Sequence, residues 1–276
     1  MDSIRTQIKA ACEQAEHLID QVKRPLKPHL PAVSRFLVVV TFFEDSFRII
    51  FQWSDQKSYL EETRSFPSFI ATLFLVANVV AMLGFSSTLI AKKHVSVAIA
   101  GLSVVMVSQA LVYGLVFDLL FFLRNMSITG GLLLCLSESL LRQRKKSVFG
   151  SLPQLSEIER HMYFQLAGRV LLVLLFIGFV IHGQWSLTWA IVSLVGLAAC
   201  VMVIVGFRAK WSATLLVSLL SVMNVLVNNW WSIQHSSPHR DFRKYDFFQT
   251  LSIVGGLMLL ISIGPGNLSY DEKKEY

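Results

Sequence analysis

Charge is scarce in this chain. Charged residues make up 16% of it, against 54% hydrophobic residues and a mean hydropathy of +0.56. So little charge over 276 residues excludes a soluble domain with a large core and implies a polytopic membrane protein. Cysteine is scarcer still. Cys12, Cys135 and Cys200 form no CxxC pair, so neither a disulfide framework nor a cysteine metal site is expected. Haem in a helix bundle needs paired intramembrane histidines, and His182, at the end of an apolar run, stands without a second. There is no glycine-rich phosphate loop and no HExxH. The expectation is therefore no catalytic residues, no metal, no cofactor and no enzyme. The first thirty residues are polar and lack the short apolar core of a signal peptide. The formal net charge of +7 does not point to nucleic acid. Its basic residues sit in short loops between apolar runs, which is a topology signal.

What is abundant is long apolar sequence. Residues 1–33 begin as an amphipathic stretch, with Ile4, Ile8, Ala11, Ala15, Leu18 and Val22 at helical spacing, and end in the breaker-rich KRPLKPHLP. This segment either lies on the membrane surface or packs on the bundle. Eight runs of about the 20 residues that a bilayer requires follow. They cover 34–53, 66–90, 95–117, 119–141, 163–182, 186–207, 211–233 and 245–263. Between the fourth and fifth lies a basic loop, 142–162, containing RQRKK. With both termini on one side, 17 Lys and Arg fall there and five on the other, while Arg48, Arg124 and Arg169 lie within spans. That bias makes the side of the termini cytosolic. Asn125-Met-Ser and Asn267-Leu-Ser match the glycosylation pattern, but one lies in a span and the other on the cytosolic side, so neither is expected to be used.

The chain also repeats. FLRNMSITGGLLL at 122–134 matches FFQTLSIVGGLML at 247–259, and Arg35 to Trp53 echoes Arg169 to Trp185. The expected fold is all-α, with about eight transmembrane helices in two parallel four-helix repeats, 34–141 and 163–263. An even number of spans per half gives both halves the same orientation. Gly130-Gly131 and Gly255-Gly256 are then places for helices to approach closely.

Phe42 to Gln56 is the exceptional stretch. Its apolar neighbours contribute roughly −3 to −7 kcal/mol toward insertion, while Glu44, Asp45 and Arg48, if unpaired, cost about 7–10 kcal/mol. Glu44, Arg48, Gln52 and Asp55 share one helical face. One carboxylate must seek a cation beyond Arg48, and Arg124 or Arg169 could supply it. Either these charges only tie helices together, or they belong to a site. Arg124 and Asn125 mark the fourth span, and Asp241, Tyr245 and Asp246 open the eighth. The site reading has spans 1, 4 and 8 enclosing a cavity open to the lumen, with Glu44, Asp45, Arg48, Gln52, Trp53, Asp55, Arg124, Asn125, Asp241, Tyr245 and Asp246 as candidates. Trp53, Trp185, Trp230 and Trp231 are interfacial anchors or part of its mouth.

After the breaker Gly264-Pro265-Gly266, the tail 264–276 ends in Lys273-Lys274-Glu275-Tyr276. Two lysines at this distance from a free carboxylate, on the cytosolic side, are expected to form an address that vesicle coats read, the alternative being a merely solubilising tail.

EDSFRxxxQWSDQ, SQALVYG (108–114), FLRNxSxxGGLL, AGRVLLVLLF (167–176), DFxKYDFFQxLSIxGGL and the DEKKEY end resemble the surfeit-locus-protein-four family of ER-to-Golgi cargo receptors, distant relatives of the DoxX proteins. The resemblance runs from Pro28 to Tyr276. It implies an endoplasmic reticulum protein that binds soluble secretory cargo in the lumen, reads hydrophobic signals on it, enters COPII vesicles and returns through coatomer bound at Lys273 and Lys274. Coat subunits and membrane lipid are then the other partners, and a homo-oligomer is left open. A different class, a small-solute or lipid transporter, would also suit a parallel repeat with charges at mid-span. DoxX kinship suggests a redox subunit, which the missing cofactor ligands disfavour.

Overall fold

The computed structural model describes residues 29–147, 155–182, 187–207, 209–233 and 238–264. The amphipathic stretch before residue 29 and the tail with Lys273 and Lys274 lie outside them. The described residues form nine α-helices: α1 Leu30–Phe51, α2 Trp53–Glu62, α3 Ser68–Ile90, α4 Val95–Val112, α5 Leu119–Ser147, α6 Leu155–His182, α7 Leu187–Val205, α8 Ala209–Val227 and α9 Pro238–Ile263. A single 3₁₀ turn, Trp230–Ser232, follows α8.

Each long run becomes a helix because a bilayer offers no partner for free backbone groups. In α3, Ala71, Leu75, Asn78, Met82, Ser86 and Leu89 form the buried stripe, while Phe69, Leu73 and Val80 on the opposite face are exposed. An exposed apolar face along a whole helix is a lipid-facing surface, and the protein is an all-α polytopic membrane protein. Five helices are long and apolar enough to cross: Ser68–Ile90, Val95–Val112, Leu119–Arg142, Ala209–Ser232 and His239–Ile263. α1 is long enough but carries Arg35, Glu44, Asp45 and Arg48.

Four helices make the centre. α5 packs most extensively on α6, α9 packs on α1, and α5 and α9 meet each other. Glycine permits this. A methyl group on Gly130 would sit 2.8 Å from the Gly168 carbonyl oxygen of α6. One on Gly255 would sit 2.7 Å from the Val38 backbone nitrogen of α1, and one on Gly256 would sit 3.0 Å from Gly131 Cα. The paired glycines are thus where backbones touch. α3 packs on α1, α4 packs on α3 and α5, and α7 and α8 pack outside α6 and α9.

Several boundaries differ from the sequence reading. The first span stops at Phe51, where Gln52 leaves helical geometry, and α2 follows as a separate polar helix. The basic loop is shorter than expected, because α5 runs on to Ser147 and α6 starts at Leu155. The last helix starts at Pro238 rather than 245. Proline suits a first helical turn, and Asp241 there meets the positive end of the helix dipole.

Candidate functional site

The site is built where α1 ends. Helical spacing puts Thr41, Asp45, Arg48 and Gln52 on the side of α1 that faces α5 and α9. There they line a cavity of about 520 Å³ with Gln56 of α2, Met106 and Gln109 of α4, Tyr113, Leu115 and Asp118 of the following turn, Phe121, Arg124, Asn125 and Ile128 of α5, and Asp241, Phe242, Tyr245 and Asp246 of α9.

Its polar groups are cross-linked. Asp45 pairs with Arg48 one turn on, and the Arg48 guanidinium lies 5.4 Å from the centre of the Tyr245 ring. Arg124 pairs with Asp246 across α5 and α9. Gln52 donates to Asp241 at 2.8 Å, joining the end of α1 to the start of α9. The Tyr113 hydroxyl donates to Gln56 at 2.9 Å, and Gln249 donates to the Tyr245 hydroxyl at 2.6 Å. Asn125 bonds back along its own helix, donating to the Phe121 carbonyl. Lower down, Ser252 donates to Thr41 at 2.9 Å and holds α9 on α1.

The lining carries Asp45, Asp118, Asp241 and Asp246 against Arg48 and Arg124, a formal excess of two negative charges. Its remaining wall is mostly apolar: Phe42, Ile49, Met106, Leu115, Leu120, Phe121, Ile128 and Phe242. Such a chamber suits a ligand with one cationic group and apolar side chains. Among the described residues, no cluster of His, Cys, Asp and Glu could hold a metal ion.

Eight of the eleven candidates converge here: Asp45, Arg48, Gln52, Arg124, Asn125, Asp241, Tyr245 and Asp246. The other three do not line the cavity. Glu44 is 5% exposed and faces Lys244, 3.4 Å away, so its cation comes from α9 rather than from Arg124 or Arg169. Arg124 is taken by Asp246 instead. Trp53 packs against the core and Asp55 is exposed. α4 and α2 add walls beyond the three expected spans. Gln109 and Tyr113 could have been found, since they stand four apart within SQALVYG and so share a helical face. Lys244 could not, because its sequence neighbourhood reads as a polar loop. Two cations lie near Trp230, Arg240 at 5.3 Å and Lys244 at 5.9 Å from its ring centre.

The model of the SURF4 family matches residues 9–276. The chain belongs to the SURF4 family. The match reaches into the N-terminal segment, beyond the start at Pro28 expected from the motifs. A fission yeast relative (Schizosaccharomyces pombe), a Surfeit locus protein 4 homolog, is 44% identical over 272 residues, covering 97% of this chain and 90% of the relative. A Drosophila melanogaster Surfeit locus protein 4 homolog is 38% identical over 95% of this chain and 96% of its own length. In budding yeast (Saccharomyces cerevisiae), the ER-derived vesicles protein ERV29 is 41% identical over 91% of this chain and 78% of its own length. No solved structure matches.

Proposed function

We propose that this protein is a transmembrane cargo receptor of the endoplasmic reticulum. It binds soluble secretory proteins in the lumen, carries them into COPII vesicles and returns by coatomer binding to its Lys273-Lys274 tail. Family membership and the name of the budding yeast relative, a protein of ER-derived vesicles, support the trafficking role. The observation that carries the binding role is the 520 Å³ chamber with its two excess negative charges and largely apolar wall. We read it as luminal, as the positive-inside rule has it, and as a receptacle for an exposed cargo segment, with a free amino terminus drawn to the carboxylates. A partly desolvated site strengthens that attraction relative to water. The two four-helix halves fit the same reading, since the last helix of each, α5 and α9, packs on the first helix of the other.

Capture of secretory proteins from microsomes in mild detergent tests the function. Asp241→Asn is the informative variant. Asp241 is exposed and its partner Gln52 is neutral, so losing its charge strands no buried cation, whereas Asp45→Asn would leave Arg48 unpaired. Capture should weaken by up to about fivefold, the effect of a solvent-screened pair worth roughly 1 kcal/mol, with receptor abundance unchanged. If Asp241→Asn and Asp118→Asn together leave capture intact, cargo binds elsewhere. The transporter alternative needs no bound luminal protein at all.

A further inference from the structure

The opposite end of the bundle carries an uneven cluster of charge. Glu138 of α5 is buried and is the acceptor for two arginines. Arg35 of α1 donates to it from Nε at 2.7 Å and from Nη2, and Arg142 donates from Nε at 2.9 Å. Arg35 is 4% exposed, and its third nitrogen, Nη1, has no hydrogen-bond partner. Lys92 lies within electrostatic reach of all three. It stands in the α3–α4 turn, where Lys92 and His94 adopt left-handed backbone conformations and present Lys92, Lys93 and His94 outward. The Arg35 guanidinium, followed by burial and Arg142, holds the Lys92 ammonium below the usual lysine value, with Glu138 opposing. Three cations therefore share one carboxylate. The same helices present exposed apolar side chains close by in sequence, Val33 and Phe36 of α1 and Val97 of α4.

We propose that Arg35, Lys92 and Arg142, with Lys93 at the rim, form a binding site for the phosphate of an anionic phospholipid headgroup. A phosphate carries the acceptor oxygens that the free Arg35 Nη1 needs, and it balances the excess of two positive charges. The exposed apolar side chains of the same helices take the acyl chains, which a soluble anion would leave exposed. Basic pockets between membrane helices on the cytosolic side bind headgroups in this way. The lipid would pin the ends of α1 and α5 and the α3–α4 turn together, at the far end of the molecule from the cargo chamber. The site is independent of the cargo reading.

The test uses the full chain, purified and stripped of lipid in neutral detergent. Binding of short-chain phosphatidylinositol monophosphate, phosphatidylserine and phosphatidylcholine is followed by native mass spectrometry and by the thermal midpoint. The anionic lipids should bind and raise the midpoint, and phosphatidylcholine should not. Lys92→Gln and Arg142→Gln should each weaken the anionic lipids about fivefold, as expected for one cation near a charged headgroup. Lys57→Gln, in the half-buried stretch of α2 near the other end, should change nothing. Lys92 is exposed, so its variant is expected to fold as the parent does. Equal retention of phosphatidylcholine, or unchanged affinity in Lys92→Gln and Arg142→Gln, overturns the proposal. Displacement of the lipid by inorganic phosphate with the same gain in midpoint makes this a soluble-anion site and overturns the lipid assignment. Cargo capture by Lys92→Gln should equal that of the parent, so failure here is distinguishable from failure of the receptor reading.

Discussion

Arg35 and Glu138 are separated by 103 positions in sequence and are buried against each other. Breaking such a pair is costlier than never having had it, because the surviving charge is left without compensation. Glu138→Gln should therefore destabilise the protein by about 3–5 kcal/mol, read as a lower thermal midpoint in detergent. The double variant Arg35→Met with Glu138→Leu should recover most of that loss. If the single and double variants lose the same amount, the pair is not the source of the stability. The same reasoning explains which site residues could be read from the chain. Asp45 and Arg48 stand three apart on one helix, so their pairing is local and legible. Glu44 with Lys244, and Arg124 with Asp246, join helices far apart in sequence. Composition shows that each charge needs a partner, but only packing decides which one.

Helices were legible because apolar runs of bilayer length have few other choices, and the paired glycines were legible because the SI-x-GGL segment occurs twice. The structure shows what these glycines do, and at different tolerances. Gly130 meets the backbone of α6, whereas nothing lies within 4 Å of a methyl group placed on Gly84. Gly130→Ala should force α5 and α6 apart and cost about 1–3 kcal/mol. Gly84→Ala should be neutral or stabilising by up to about 1 kcal/mol, since alanine is the better helix former. Thermal unfolding of the two variants side by side checks this, and equal effects would remove close packing as the role of Gly130. Element ends were less legible. α2 is too polar and short to show as a span, and the first turns of α9 are held by Gln52 and by an Arg243 bond to the Val227 carbonyl. Those contacts come from other segments, so no local pattern announces them.

At the scale of the whole molecule, the chamber and the basic cluster occupy opposite ends of the same helices, α1 and α5. Asp45 and Arg124 lie toward one end, and Arg35 and Glu138 toward the other. In the proposed topology the charge bias of 17 to five puts the basic end, and with it both termini, in the cytosol. That places Lys273 and Lys274 where a coat could read them, thirteen and fourteen positions beyond Leu260, past the Gly264 turn that ends α9. Replacing both lysines with Ser should leave the thermal midpoint unchanged within about 0.5 kcal/mol, as for other substitutions away from packed structure. The receptor should then shift from the endoplasmic reticulum to later compartments, and secretion of its cargo should slow as the receptor is depleted. Protease treatment of sealed microsomes supplies the geometric control. A tag placed ahead of residue 1 and a tag at an internal site in 148–154 should both be digested, because the four expected spans between them put them on the same face. Digestion of both with no change in the steady-state location of the double-Ser variant would keep the topology and dismiss the tail as the address. Protection of either tag would overturn the topology of the first half, and with it the assignment of the chamber to the lumen.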